Sequence, residues 1–272
     1  MDPDAISADV LASLEQFRDL VGGLEPADWS TPTDCPGWDV HDVVAHVVGF
    51  EAALDGAPTP QADFDDQHVR NDIGRMNEAW VESLRSRSDA ELLEDLERLV
   101  ERRRERLAAM TPEDFAQVGW SPVGDVPHAR FLQVRTLDVW FHEQDVREAV
   151  GRPGNLDGPA ADRALSEVLG AIGYVVGKRG GAPDGSSVRF ELAVPGSSDA
   201  PRHIDVVVDG RARVIDDLDG APTVTIATDV GTFVRLVGGR RDPQELLDAG
   251  GVTVEGDREL GERIVRNLAY MI

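Results

Sequence analysis

The sequence predicts an α+β chain of two domains, a helical bundle over residues 1–155 followed by a small mixed domain over 156–272. Three observations predict it. Apolar residues recur at three- and four-residue steps through the first half. Short alternating runs bounded by Gly and Pro mark the second half. Between them, Gly151-Arg152-Pro153-Gly154 is a strong helix stop. A length of 272 residues fits two domains of ordinary size, and 41% hydrophobic residues are enough to fill two cores.

The first helix is expected over residues 5–21, with Ile6, Val10, Leu14, Phe17 and Val21 on one face, and Gly22-Gly23 stops it. Asp39 is a good N-cap, with Asp42 at the third helical position, for a helix that reaches about Leu54. That helix is apolar nearly all round (Val40, Val43, Val44, Val47, Val48, Phe50), a pattern that predicts burial on most sides. A loop rich in Pro, Asp and Ala extends through about Asn71. Helical pattern resumes near Ile73 and runs to about Met110, interrupted around Arg85-Ser86-Arg87-Ser88. The last bundle helix is expected over 130–150. Past the stop, a helix over 159–176 precedes strands at 188–194, 204–208 and 224–226. Short helices near 232–236 and 243–249 lead to a strand at 252–254, and a final helix starts at Asp257 as N-cap and runs to about Tyr270.

Charge narrows the partners. Lys and Arg total 27 against 51 Asp and Glu, a formal net charge of −24. Such a surface repels phosphate backbones and anionic headgroups, so neither nucleic acid nor membrane is expected as a partner. No stretch approaches the ~18 apolar residues of a membrane span, and the acidic Met1-Asp2-Pro3-Asp4 does not read as a secretory signal. Cys35 is the single cysteine, so no internal disulfide forms, which fits a cytoplasmic protein. Lys178 is the single lysine, a bias that either a GC-rich genome or salt adaptation produces.

Two helices carry polar groups where apolar ones are expected. On the helix over 130–150, Asp138 and His142 are four apart and share a face with Phe131, Val134, Arg135, Phe141, Asp145 and Ala149, while Glu143 and Arg147 point the opposite way. A carboxylate and an imidazole inside that buried stripe need partners. On the apolar helix, His46 lies between Val43 and Phe50, and Gly49 beside it leaves room for a ligand or a close helix. If the two helices face each other, His46, Asp138 and His142 supply two nitrogens and one oxygen. Three protein ligands with an open fourth position is the pattern of catalytic zinc, and iron or nickel also accept such a set. Spacing is equally compatible with a hydrogen-bonded Asp–His core pair, and with His46 bonded to Asp42 one turn earlier.

At these residues the chain resembles a known family. The segment Cys35-Pro36-Gly37-Trp38-Asp39-Val40-His41-Asp42-Val43-Val44-Ala45-His46-Val47 is similar to the first signature of the mycothiol-dependent maleylpyruvate isomerase family, part of the DinB-like superfamily of metal-binding four-helix bundles. The segment Asp138-Val139-Trp140-Phe141-His142-Glu143-Gln144-Asp145-Val146-Arg147 resembles its second signature. Gly238-Gly239-Arg240 and Gly251-Val252-Thr253-Val254-Glu255-Gly256-Asp257 resemble the sterol-carrier-like domain that accompanies the bundle. The resemblance covers most of the chain. It implies a divalent metal, usually zinc, on His46, Asp138 and His142, and mycothiol or a similar thiol as cofactor. The isomerase itself has glutamate where this chain has Asp138. A metal-held thiolate could add to an activated double bond, allow rotation and leave, which is isomerisation, or remain attached, which is S-transfer. Asp145 could then orient a ligand or relay a proton, although a solvated or capping role is the simpler reading. Arg240 could meet a substrate carboxylate, with Arg235 and Arg241 competing for the role. The rival expectation is a non-catalytic small-molecule or lipid-binding protein with a vestigial site.

Other residues read as structural. Cys35 is expected to be a small packing residue. His142-Glu143-Gln144-Asp145 lacks the second histidine of a zincin motif, and Gly238-Gly239-Arg240-Arg241 lacks the Lys-Ser/Thr ending of a phosphate loop. His41 shares little of the His46 face, and His68, His128 and His203 fall in loops or near strand ends. Glu101-Arg102-Arg103-Arg104-Glu105-Arg106 reads as a solvated helix face.

Overall fold

Helix α1 (Pro3–Gly22) is capped by Asp2, which accepts from the Asp4 N–H, and Pro3 occupies a first-turn position where no N–H is needed. The computed structural model describes residues 2–65, 67 and 69–271; His68 lies outside them. Helix α2 (Val40–Leu54) is capped as the sequence predicts, Asp39 accepting from the Asp42 N–H at 3.0 Å, and Val40, Val43, Val44, Ala45, Val47 and Val48 are all buried. The expected interruption separates α3 (Asp72–Leu84) from α4 (Asp89–Ala109), where Ser88 and Glu91 form a reciprocal capping box. Helix α5 (Pro112–Ala116) and a short hairpin, β1 (Val118–Gly119) with β2 (Val126–Pro127), lead into α6 (His128–Ala149). Helix α1 packs on α4 and α6, and α2 packs on α3, α4 and α6. The four long helices thus enclose a core that includes Leu14, Phe17, Val44, Val47, Leu96 and Val139.

Contacts divide the chain into Met1–Ala164 and Leu165–Ile272, so the division falls within α7 (Pro159–Tyr174), which ends in a π-helical turn, Val175–Arg179. In the second unit, β3 (Ser187–Ala193), β4 (Arg202–Asp209), β5 (Arg211–Ile215), β6 (Val224–Asp229) and β7 (Thr253–Gly256) form one sheet in the order β5-β4-β3-β6-β7. Among the described residues only the β3–β6 pair is parallel. Val188, Phe190 and Leu192 alternate into its core, and Phe190 meets Phe233 of α8 (Val230–Val237) edge to face. Helix α9 (Pro243–Asp248) and α10 (Arg258–Val265) complete the unit.

Two expectations are corrected here. Strand β5 was not expected, because Arg211 and Arg213 interrupt its apolar pattern; it is an edge strand and its exposed charges suit that place. The final helix stops at Val265 rather than near Tyr270. Asn267 and Leu268 turn back onto Ile264 and Val265, and the N–H groups of Tyr270 and Met271 donate to the Val237 carbonyl instead of continuing the helix. Among the described residues no helix is long and apolar enough to cross a membrane.

Candidate metal centre

Helices α2 and α6 bring His46, Asp138 and His142 together. His46 Nε2 stands 3.7 Å from Asp138 Oδ2, and His142 Nε2 stands 3.7 Å from Asp138 Oδ1. One donor atom from each residue lies within 4.8 Å of the others. Donors at 2.0–2.1 Å from a tetrahedral ion are about 3.3 Å apart, so the two 3.7 Å separations to Asp138 are a few tenths wider than ligation needs. Trp38 packs on both imidazoles, with ring centroids 5.3 Å from His46 and 6.1 Å from His142, and Phe50 adds a further apolar wall.

His46 is 1% exposed, and among the described residues neither of its ring nitrogens has a hydrogen-bond partner. The alternative partner, Asp42, is engaged by Arg85 at 3.0 Å. A buried imidazole with two unmet nitrogens is costly unless something else binds there. Burial lowers its pKa to about 4, outweighing the neighbouring Asp138, so the ring is neutral near pH 7 with a lone pair available. For Asp138, burial would raise the pKa, but the Arg135 charge and the two imidazoles outweigh it and hold the carboxyl far below the usual carboxylate range. These donors fit a divalent cation. Gly49 serves a close helix: a Cβ there would stand 2.6 Å from Trp80 Cβ.

Asp145 departs from its simpler reading as a solvated or capping carboxylate. It is 2% exposed, because α6 is buried on nearly every side. Its Oδ2 lies 3.2 Å from His142 Nδ1 and accepts from the Cys35 thiol at 3.1 Å. The first contact assigns the His142 proton to Nδ1 and leaves Nε2 free to face Asp138, the usual support for a ligating histidine. Cys35 is buried as expected, and it also joins His142 and Asp145 in a second close donor group. Glu143, on the opposite side of α6, is fully buried, where it accepts from Arg147 and Asn155; burial raises its pKa.

The arginine run on α4 is corrected at one position. Arg103 is 6% exposed and donates to Glu51, so that stretch is not uniformly solvated. Glu51 was missed by sequence reasoning, although a carboxylate in an otherwise apolar helix signals a buried cation nearby. Arg240 belongs to the second unit, where its Nη1 donates to the Gly238 carbonyl at 3.4 Å; Arg235 is buried in α8. His41 pairs with Asp89 at 2.9 Å, away from the triad's donors.

Comparison with known proteins agrees with this architecture. The model described as the mycothiol maleylpyruvate isomerase N-terminal domain matches residues 10–147, and that of the SCP-2 sterol transfer family matches residues 184–268. The crystal structure of the mycothiol-dependent maleylpyruvate isomerase aligns with a TM-score of 0.58 and 18% identity, over 94% of this chain and 93% of that one. A histidine-to-alanine mutant of that enzyme aligns at the same TM-score with 16% identity and the same coverage of each chain. An uncharacterised protein of Mycobacterium tuberculosis is 29% identical over 153 residues, 55% of this chain and 58% of the relative's length. A second uncharacterised protein of that organism is 24% identical over 165 residues, 58% of this chain and 75% of its own length. With half of its length matched by the bundle model, the chain belongs to the mycothiol maleylpyruvate isomerase family.

Proposed function

We propose that the helical unit holds one divalent cation, zinc by its donor chemistry, on His46, Asp138 and His142. It would use a low-molecular-weight thiol of the mycothiol type to isomerise, or transfer sulfur to, a small electrophilic substrate. The observation that carries the reading is His46: a buried imidazole with neither nitrogen hydrogen-bonded among the described residues, facing two further donors. When bound, the cation supplies the positive charge that keeps a thiol ionised at neutral pH, and ionised sulfur is the nucleophile in both reactions. The protein's own residues do the rest. Asp145 fixes the His142 tautomer, Arg135 steadies Asp138, and the Trp38 and Phe50 rings wall the imidazoles, leaving Asp138 as the partly exposed donor. Arg240 is the second unit's candidate for a substrate carboxylate, and the single cysteine suits a reducing cytoplasm.

Metal analysis tests the reading. The purified chain is expected to carry near-stoichiometric metal, and a folded His46→Ala variant to lose it. A folded wild type that takes up no zinc when zinc is supplied defeats the enzyme reading. Saturable lipid binding by that same protein would favour the rival, a non-catalytic carrier, which the SCP-2 match supports.

A further inference from the structure

Four buried or half-buried charges run in line from α4 to the triad. Arg103 donates from Nε to Glu51 Oε2 at 2.9 Å, and Glu51 Oε1 accepts from Arg135 Nε, also at 2.9 Å. Arg135 then donates through Nη1 to Asp138 Oδ2. Its guanidinium lies over the Phe50 ring, 4.5 Å from the centroid. The side chains of Glu51 and Arg135 are each 1% exposed, and that of Arg103 is 6% exposed. The far end reaches a cleft of about 490 Å³ that Arg103 lines together with Arg106, Trp120, His128 and Phe131. Formal charges along the line alternate and cancel.

Stability alone does not account for such a line, because buried ion pairs are often no better than apolar packing of the same volume. Its geometry has a consequence at the triad. A guanidinium meets a carboxylate best through two parallel bonds. Were Arg135 free to do so, it would cover both oxygens of Asp138. Glu51 draws Arg135 by Nε instead, in an orientation in which Nη2 donates to the Val47 carbonyl at 3.5 Å, so that Nη1 meets Oδ2 while Oδ1 faces His142 Nε2 at 3.7 Å.

Resting on the metal reading above, the structure assigns Glu51 as a positioning residue for the centre. By holding Arg135 through Nε it keeps one oxygen of Asp138 open to a divalent cation, and its charge offsets the guanidinium beside that cation. Removing the charge of Glu51 acts in one direction on both counts, since Arg135 closes on Asp138 and an uncompensated positive charge stands near the cation. Removing Arg103 acts in the other. It deletes a positive charge and leaves Glu51 to Arg135 alone, drawing the guanidinium away from Asp138.

The full chain, stripped with a chelator, is titrated with Co²⁺ against a chromophoric competitor while the visible Co²⁺ bands are recorded. Folding is checked by circular dichroism. Glu51→Gln is expected to bind Co²⁺ about 10- to 100-fold more weakly than wild type, with altered bands. Arg103→Met is expected to bind more tightly, by roughly two- to tenfold. A merely structural role would weaken both variants together, and that outcome overturns the proposal, as does a Glu51→Gln affinity equal to wild type. Should Glu51→Gln fail to fold, Arg103→Met decides: tighter binding supports the proposal and equal or weaker binding overturns it. A wild type that binds no Co²⁺ sinks the metal reading and this inference with it; normal wild-type binding with an unaffected Glu51→Gln sinks only the inference.

Discussion

At the scale of single residues, the candidate centre is built by neighbours that are remote in sequence. Asp145 illustrates this, since one oxygen serves both His142 Nδ1 and the Cys35 thiol, 110 positions away. Replacing it by Asn keeps the volume and removes the charge that favours the Nδ1–H tautomer. Metal affinity of Asp145→Asn is expected to fall about 10- to 100-fold, read by chelator competition, with the circular dichroism spectrum unchanged. An affinity equal to wild type would reduce Asp145 to a packing residue. His46, Asp138 and His142 stood out in the sequence because helical spacing puts Asp138 and His142 on one face and because a histidine inside an apolar helix is anomalous, while their role as a ligand set came from the family resemblance. Their supports could not. Cys35 looks like any small loop residue until the fold sets it against Asp145. Arg103 looks like its solvated neighbours, because a run of arginines hides which one turns inward to Glu51.

At the scale of elements, helices were legible where caps and apolar spacing agreed, as at Asp39 and Ser88, and strands where alternation was unbroken, as in β3. Edge strand β5 and the end of α10 escaped because partners elsewhere in the unit decide them: β4 for the first, the Val237 carbonyl for the second. The β3–β4 pair carries the element-scale prediction. Arg189 and Asp205 face each other in register, and Asp205 accepts two guanidinium bonds at 2.7 Å and the Leu218 N–H at 3.0 Å. The Arg189 hydrogen bonds hold the Asp205 carboxyl below the usual range, against the opposing effect of burial. A carboxyl lowered in the folded state stabilises it fully above the unfolded value of about 3.9, and that contribution is lost as pH falls through the lower folded value. Asp205→Asn is therefore expected to cost about 2–3 kcal/mol at neutral pH, because Arg189 keeps some solvent and the loss is less than for a wholly buried pair. Its urea midpoint should also fall less steeply than wild type below about pH 4. Parallel acid limbs in the two proteins would show that Asp205 does not set this dependence.

At the scale of the whole molecule, two opposing electrostatic terms decide how the protein answers to salt. Many arginines sit in surface pairs, such as Arg98 with Asp95 and Arg258 with Glu262, and each such pair contributes little and weakens on screening. Against them stands an excess of 24 negative charges, whose mutual repulsion screening relieves. Repulsion among like charges acts over the whole surface, with a Debye length of about 30 Å at 0.01 M salt and 3 Å at 1 M, whereas each ion pair acts only across its own contact. The repulsive term should therefore win. The thermal midpoint is expected to rise as NaCl is raised from about 0.01 to 1 M, with most of the gain below about 0.3 M, where the Debye length shortens fastest. Potassium chloride should match sodium chloride if screening is the cause, and calorimetry in the two salts would check it. A midpoint that fell across this range would mean that the paired arginines, rather than the unpaired carboxylates, govern the stability of the fold.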